Sequence, residues 1–191
     1  MPTPKAHGIQ IAKACEGLIE AGQQVTLVIP RSRVWSEESV SAYYHLRTEV
    51  PTTALRTPDL YGSGEIGFLA STFCFALAAL LYLRKAGKDM IIYARPDPFF
   101  LPFAILHGYP CYAEVHDAYI PGPLTRRVLK RAKGIVVTNT VIRDAVAQAH
   151  GIPLERFHIE ANGVDLAPFV SAPSKADARA KLALGPDAKI A

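Results

Sequence analysis

The sequence predicts an α/β fold built on a mostly parallel, doubly wound sheet. Three observations carry this reading. Runs such as QQVTLVIP, DMIIYAR, YPCYAEVHD and GIVVTN have apolar, uncharged centres, as strands covered on both faces require. The stretches between them place apolar residues at spacings of three and four, the period of a helix packed against a sheet. Strand and helix alternate nearly to the end of the chain, the pattern of parallel strands joined by crossover helices.

Each element has its own justification. In PTPKAHGIQIAKACEGLIEAG, Gly8, Ile11, Ala12, Cys15, Leu18, Ile19 and Gly22 share one helix face, which predicts their burial, while Lys5, Lys13 and Glu20 lie elsewhere. Thr3 is the expected N-cap, Pro4 the first helical residue and Gly22 the stop. A strand follows within 25–29. Residues 31–45 are polar and irregular, and a weaker strand falls within 48–55. A long apolar helix covers 64–86. DMIIYAR forms a strand ending at Arg95, and PDPFFLPFAILHG is helical or mixed, with Pro98 near its start. YPCYAEVHD forms a strand ending near His116. PLTRRVLKRAKG is a basic helix stopped by Gly134. GIVVTN is a strand, and TVIRDAVAQAHG a helix capped by Thr138 or Asn139 and stopped by Gly151. RFHIEAN is a short strand, NGVDLAPF a turn, and residues 171–188 a linker with a surface helix.

The length of 191 residues suits one domain and the start of another. A hydrophobic content of 50% supports a real core. The net charge of +4 permits contact with phosphates or an anionic membrane without demanding either. Cys15, Cys74 and Cys111 have no metal-ligand spacing and read as buried thiols in a reducing compartment. No charged segment followed by an apolar one opens the chain, so no signal peptide is expected. The segment IGFLASTFCFALAALLYL (66–83) carries no charge and has about the 18–20 residues a membrane span needs. It contains Ser71 and Thr72 and runs into Arg84 and Lys85, so it reads as a buried or membrane-touching helix rather than a spanning one.

Ligands of parallel sheets sit at the carboxyl ends of the strands. That directs attention to Arg95, residues 116–119, Asn139 and residues 162–165. His116 directly follows a strand, with Asp117 beside it and a Pro/Gly-rich loop behind. It either binds a hydroxyl or phosphate oxygen or packs and caps the loop, with no preference from position alone. Glu114 points away from the face of Val115, into the site or toward an arginine. Arg95 can hold a phosphate in its planar fork, but an ion pair with Asp97, Glu114 or Asp117 is the favoured expectation. Gly62, Gly64 and Gly67 form a G-x-G-x-x-G, yet RTPDL before them is poor strand material, and the motif reads as a loop entering the apolar helix. Arg126, Arg127, Lys130, Arg131 and Lys133 form a basic helix surface, solvated or set against anionic headgroups or a phosphorylated acceptor. Too few aromatics interleave with it for nucleic acid to be a partner.

Taken in order, PTPKAHGIQIAKACEGLIEAGQQVTLV, YYHL, IIYARPDPFF, YPCYAEVHD, RAKGIVVTNTVIRDAV and IEANGVDLAPF resemble the N-terminal half of glycosyltransferase family 4, which has the GT-B fold with Rossmann-like domains. The likeness covers nearly everything from Pro2 to Phe169. It implies an acceptor-binding domain over 1–169, with 170–191 as linker and start of a donor-binding domain. It implies a donor-side glycine at Gly8 and a catalytic histidine at His116 that meets the transferred sugar or its phosphate; Arg95 and Asp117, at the same strand ends, are the further candidates for donor or phosphate contacts. Asn162, Gly163 and Asp165 match the start of the interdomain connection and are expected to act as a hinge. The partners implied are a nucleotide sugar and a glycan or lipid-linked acceptor, with peripheral contact at the inner face of the membrane for a cytoplasmic protein. No cofactor or metal is expected. Retention of anomeric configuration is implied, by a front-face displacement in which the leaving phosphate helps deprotonate the acceptor. The family's first strand and its C-terminal glutamate pair have no counterpart in this sequence, so the first strand counts as missing and the 191 residues alone are expected not to transfer sugar. A GT-B sugar-nucleotide epimerase and a non-catalytic nucleotide-binding or membrane-docking module are the alternatives.

Overall fold

The computed structural model describes residues 3, 5–31, 38–97, 99–118, 122–163, 166–185 and 187–189. Pro2, Pro4, Pro98, Tyr119 and Asp165, singled out above, lie outside the described residues. The chain divides into two compact units, Met1–Ala161 and Asn162–Ala191.

The first unit runs α1 (Ala6–Glu20), β1 (Leu27–Pro30), α2 (Val40–Tyr43), β2 (Thr52–Leu55), α3 (Gly64–Ala86), β3 (Ile92–Ala94), α4 (Phe100–Leu106), β4 (Cys111–Val115), α5 (Pro123–Arg131), β5 (Gly134–Val137), α6 (Thr140–His150), a short 3-10 turn (Leu154–Arg156) and β6 (Phe157–Ile159). Every strand pairing is parallel, as the sequence predicts, with register anchored by Leu27↔Thr52, Ile92↔Cys111, Ala113↔Ile135 and Ile135↔Phe157. The strands form a pair, β1-β2, and a four-stranded sheet in the order β3-β4-β5-β6. Among the described residues β1 pairs only with β2 and β3 only with β4, so each has one edge without a ladder partner.

Two hydrophobic clusters follow this division. The larger packs Leu101 and Leu129 of α4 and α5 against Val115, Ile135 and Val137 of the four-stranded sheet. The smaller packs Ala12 of α1 with Leu27, Ile29, Val40, Tyr44 and Val50. Successive strands buried on both faces leave no alternation to read within β5, where Gly134, Ile135 and Val137 are all buried.

Several boundaries differ from expectation. α1 starts at Ala6 with Lys5 as N-cap. Thr3 does not cap it, because its backbone is held instead by the Tyr44 hydroxyl, which accepts from Thr3 N and donates to Thr3 O, each at 2.8 Å. Leu18, expected on the buried face, is exposed, while Glu16 is buried. The irregular 31–45 stretch contains α2, capped by Ser39, whose hydroxyl accepts from Ala42 N. Gly134 is not a helix stop: α5 ends at Arg131, and Gly134 opens β5 where the Tyr112 ring covers it, 2.8 Å from where a Cβ would stand. Asn139, not Thr138, caps α6 by accepting from Ile142 N, and Gly151 ends it in the left-handed region (φ 58°). The three cysteines are unpaired, and only Cys111 is fully buried.

The second unit contains α7 (Ala167–Val170) and α8 (Lys175–Lys181). Ser174 caps α8 by accepting from Asp177 N. Arg179 closes the segment by donating to the carbonyls of Gly185 and Ala188 at 2.6 and 2.8 Å.

Candidate functional site

The pleat of β4 builds the site. Cys111, Ala113 and Val115 turn into the core, so Glu114 and, two residues on, His116 share the opposite face. The consequence is a direct contact: His116 Nε2 lies 2.7 Å from Glu114 Oε1. Arg95 follows β3 directly, and the register Ala94↔Ala113 brings it alongside Glu114 and His116. Arg95 Nη2 lies 3.2 Å from His116 Nε2 and donates to Gln10 Oε1 of α1 at 3.1 Å. Three segments far apart in sequence thus meet at the carboxyl ends of β3 and β4.

His116 Nε2 stands between a group that only donates and one that, ionised, only accepts. A protonated Nε2 donates to Glu114 and a bare Nε2 accepts from Arg95, so the single ring nitrogen serves one of the two contacts at a time, and the shorter of them is with Glu114. Tyr93 adds its hydroxyl to the same carboxylate, and burial followed by the charges of Glu114 and Glu160 pushes its pKa up. Glu114 is also felt on α1, where burial first and this carboxylate second push the Cys15 thiol up to about 11. His7, in the first turn of α1, is held below its ordinary pKa by partial desolvation and then by Arg95 and Lys5, which favours a neutral ring beside the guanidinium.

Arg95 is not in the ion pair expected for it. Among the described residues it forms none, because Asp97 is spent on the start of α4, accepting from Phe99 N at 2.8 Å and Phe100 N at 2.5 Å. Arg95 Nε is buried and has no hydrogen-bond partner among the described residues. A buried guanidinium edge with an unused donor suits an anionic oxygen, and its planar fork suits phosphate in particular. Among the described residues no three His, Cys, Asp or Glu side chains gather as a metal-ligand set.

The other predicted residues are distributed more widely. Gly8 lies buried within the first turn of α1, where a Cβ would strike the Tyr44 hydroxyl and come within 2.6 Å of Thr3 Cγ2. Gln10, two residues along the same helix, is the one that reaches Arg95. Asp117 follows His116 and is exposed. Asn162 and Gly163 are exposed at the start of the second unit. Of the discounted glycines, Gly67 is buried against the Leu60 carbonyl, and Leu60 N donates to Ser71 Oγ at 2.8 Å, which seats the 56–63 loop on α3. Gln10 and Tyr93 went unforeseen. Nothing in a helical glutamine signals such a contact, whereas the two-residue spacing of Glu114 and His116 does signal theirs.

The family model for Glycosyltransferase Family 4 matches residues 8–168. A crystal structure of Anabaena Alr3699/HepE in complex with UDP superposes with a TM-score of 0.60 at 14% identity, over 96% of this chain and 48% of that one. A second, of the same protein in complex with UDP and glucose, gives a TM-score of 0.58 at 14% identity, over 95% and 48%. The chain thus spans about half the length of these structures. No curated protein matches it.

Proposed function

Because the chain belongs to glycosyltransferase family 4, we propose that it forms the acceptor-binding half of a retaining hexosyltransferase, which moves a sugar from a nucleotide-sugar donor to a glycan or lipid-linked acceptor. The observation that carries this reading is the Arg95–His116–Glu114 cluster at the carboxyl ends of β3 and β4, with its unused guanidinium donor. In this scheme Arg95 meets the negative charge of the donor's diphosphate as the bond from anomeric carbon to phosphate oxygen breaks. The acceptor hydroxyl oxygen bonds to the anomeric carbon on the same face, and its proton passes to the leaving phosphate. His116 contacts the transferred sugar, held in one orientation by Glu114, with Gln10 fixing the guanidinium. Gly8 and Asp117 complete the donor side. Asn162, Gly163 and Asp165 form the hinge to a donor-binding domain, in a cytoplasmic enzyme whose activity needs both halves. The Anabaena relative was crystallised with UDP and with glucose, so UDP-sugars are the first donors to offer.

The test is transfer by a full-length enzyme bearing His116→Ala or Arg95→Ala. Each should lower turnover by about a hundredfold, with an unchanged circular dichroism spectrum. Proton NMR of the product should show the donor's anomeric configuration. Turnover within a few-fold of the parent would return His116 to a loop-packing role, and inversion at the anomeric centre would overturn the mechanism.

A further inference from the structure

We infer that an anionic oxygen on Arg95 sets the tautomer of His116, so that filling the phosphate side leaves Nδ1 of the ring a bare acceptor for a sugar hydroxyl. The inference deepens the reading above and rests on it, since Arg95 there meets phosphate and His116 meets sugar. Its basis is a contact that does not satisfy all its members. His116 Nε2 lies 2.7 Å from Glu114 Oε1 and 3.2 Å from Arg95 Nη2. A neutral imidazole holds one proton, on one nitrogen or the other. With the proton on Nε2 the ring donates to Glu114, and the Arg95 N–H faces another donor. With the proton on Nδ1 the ring accepts from Arg95, and the bare Nε2 faces a carboxylate oxygen. Either tautomer leaves one of the two contacts unfavourable while Arg95 stays in place.

The surroundings make Arg95 the member that gives way. Glu114 is fixed within the β4 ladder, where it pairs with Val136. Tyr93 donates its hydroxyl to the same carboxylate, as suits an ionised, accepting group. Arg95 instead follows the end of β3. Its Nη2 also donates to Gln10 at 3.1 Å, and its buried Nε has no partner among the described residues. An anionic oxygen offers this guanidinium a charge-assisted acceptor, stronger than a neutral ring nitrogen. Once Arg95 turns to the anion, a proton on Nε2 meets only Glu114, and the lone pair stays on Nδ1. Among the described residues Nδ1 has no hydrogen-bond partner, and the His116 side chain is 18% exposed, which leaves the ring open to a ligand. Glu114 is then a positioning residue, which touches no substrate and acts through the proton it holds. Coupling between two sites is reciprocal, so a hydroxyl donating to Nδ1 favours in turn the form that releases Arg95 to phosphate.

The experiment is nitrogen NMR of the full chain with isotopically labelled histidine, titrated with inorganic pyrophosphate at mildly alkaline pH. The His116 ring signals are identified by their loss in His116→Gln, and bare and protonated ring nitrogens resonate far apart. Saturation with pyrophosphate should raise the ratio of the Nε2–H to the Nδ1–H form about tenfold. In Arg95→Met the Nε2–H form should dominate with or without pyrophosphate. In Glu114→Ala the free chain should move to the Nδ1–H form, which accepts from Arg95. A ratio unchanged at the highest pyrophosphate concentration overturns the inference, whether the anion binds elsewhere or not at all. So does a ring protonated on both nitrogens in the pyrophosphate-bound chain, or a response to pyrophosphate that survives Arg95→Met. Failure of the functional reading is a separate result: turnover retained by His116→Ala removes the sugar's part and leaves the response of the ring to the anion in place.

Discussion

The region around β1 and β2 and the region around β3 to β6 are assembled from the same kinds of element but held together by different means. The four-stranded region is closed by aliphatic packing, with Leu101, Leu129 and Ile135 fully buried. The two-stranded region has a core of a few side chains and supplements it with buried polar groups. There Glu16 accepts from Lys13 Nζ at 2.8 Å and from Arg47 N at 2.5 Å. Ser41 Oγ accepts from Val50 N at 2.8 Å. Where too little apolar surface is available, side chain-to-backbone hydrogen bonds fix the loops, and each such bond matters mainly because its absence leaves a buried group unpaired. The candidate site draws on both regions: Arg95, Glu114 and His116 come from the aliphatic one, and Gln10 from the polar one.

Mutations can break this contrast in order of size. Leu101→Ala should cost about 3 kcal/mol, from lost burial and the cavity left behind, measured by urea unfolding. A cost under about 1 kcal/mol would mean that the larger core repacks freely. Glu16→Ala should cost about 2 kcal/mol by the same assay, because Lys13 and the Arg47 amide lose their acceptor. Its pH dependence separates it from a packing defect. Burial pushes the Glu16 carboxyl up, but hydrogen bonds from Lys13 and from the amides of Arg47 and Thr48 outweigh it and hold the pKa below the ordinary value. A carboxylate depressed in the folded state contributes stability above its unfolded pKa of about 4.3 and loses that contribution as pH falls through the folded value. The gap between parent and Glu16→Ala should therefore narrow in acid, while the gap for Leu101→Ala should not. Smallest is Gln10→Ala, with an expected cost of about 0.5–1 kcal/mol for one partly exposed hydrogen bond. A cost as large as that of Glu16→Ala would make the Arg95 contact a structural tie between the regions rather than a group poised for a ligand.

Much of the fold was legible because its signals are local. The apolar run with Arg84 and Lys85 at its end marks α3 from Gly64 to Ala86, and the Asn139 and Gly151 pair brackets α6. The strands announce themselves by uncharged β-branched centres. What escaped depends on contacts across the chain. The start of α1 is decided by the Tyr44 hydroxyl, 41 residues from Thr3. Glu16 is buried because the Arg47 amide, 31 residues away, donates to it, a contact that no local pattern announces. At the site, the strand pleat makes the Glu114–His116 pairing readable. The environment of Arg95 was not, because of the partners expected for it Asp97 accepts the first amides of α4 and Glu114 meets His116, while Gln10, to which Arg95 donates, lies 85 residues earlier.

The single-sided pairing of β1 and β3 has a consequence for how the sheet meets water. In a parallel ladder successive amides point to alternate sides. Ile92 N donates to Pro110 O on the β4 side, which turns the amide of Tyr93 toward the open edge, where its ring is also partly exposed. Likewise Leu27 N and Arg31 N donate toward β2, and the amide of Val28 faces away. β4 and β5, flanked on both sides, have no such free set. Deuterium uptake would accordingly be uniform and slow along β4 and β5 but would alternate residue by residue along β1 and β3, a period-two exchange pattern that β2 and β6, which also have one ladder partner each among the described residues, should share.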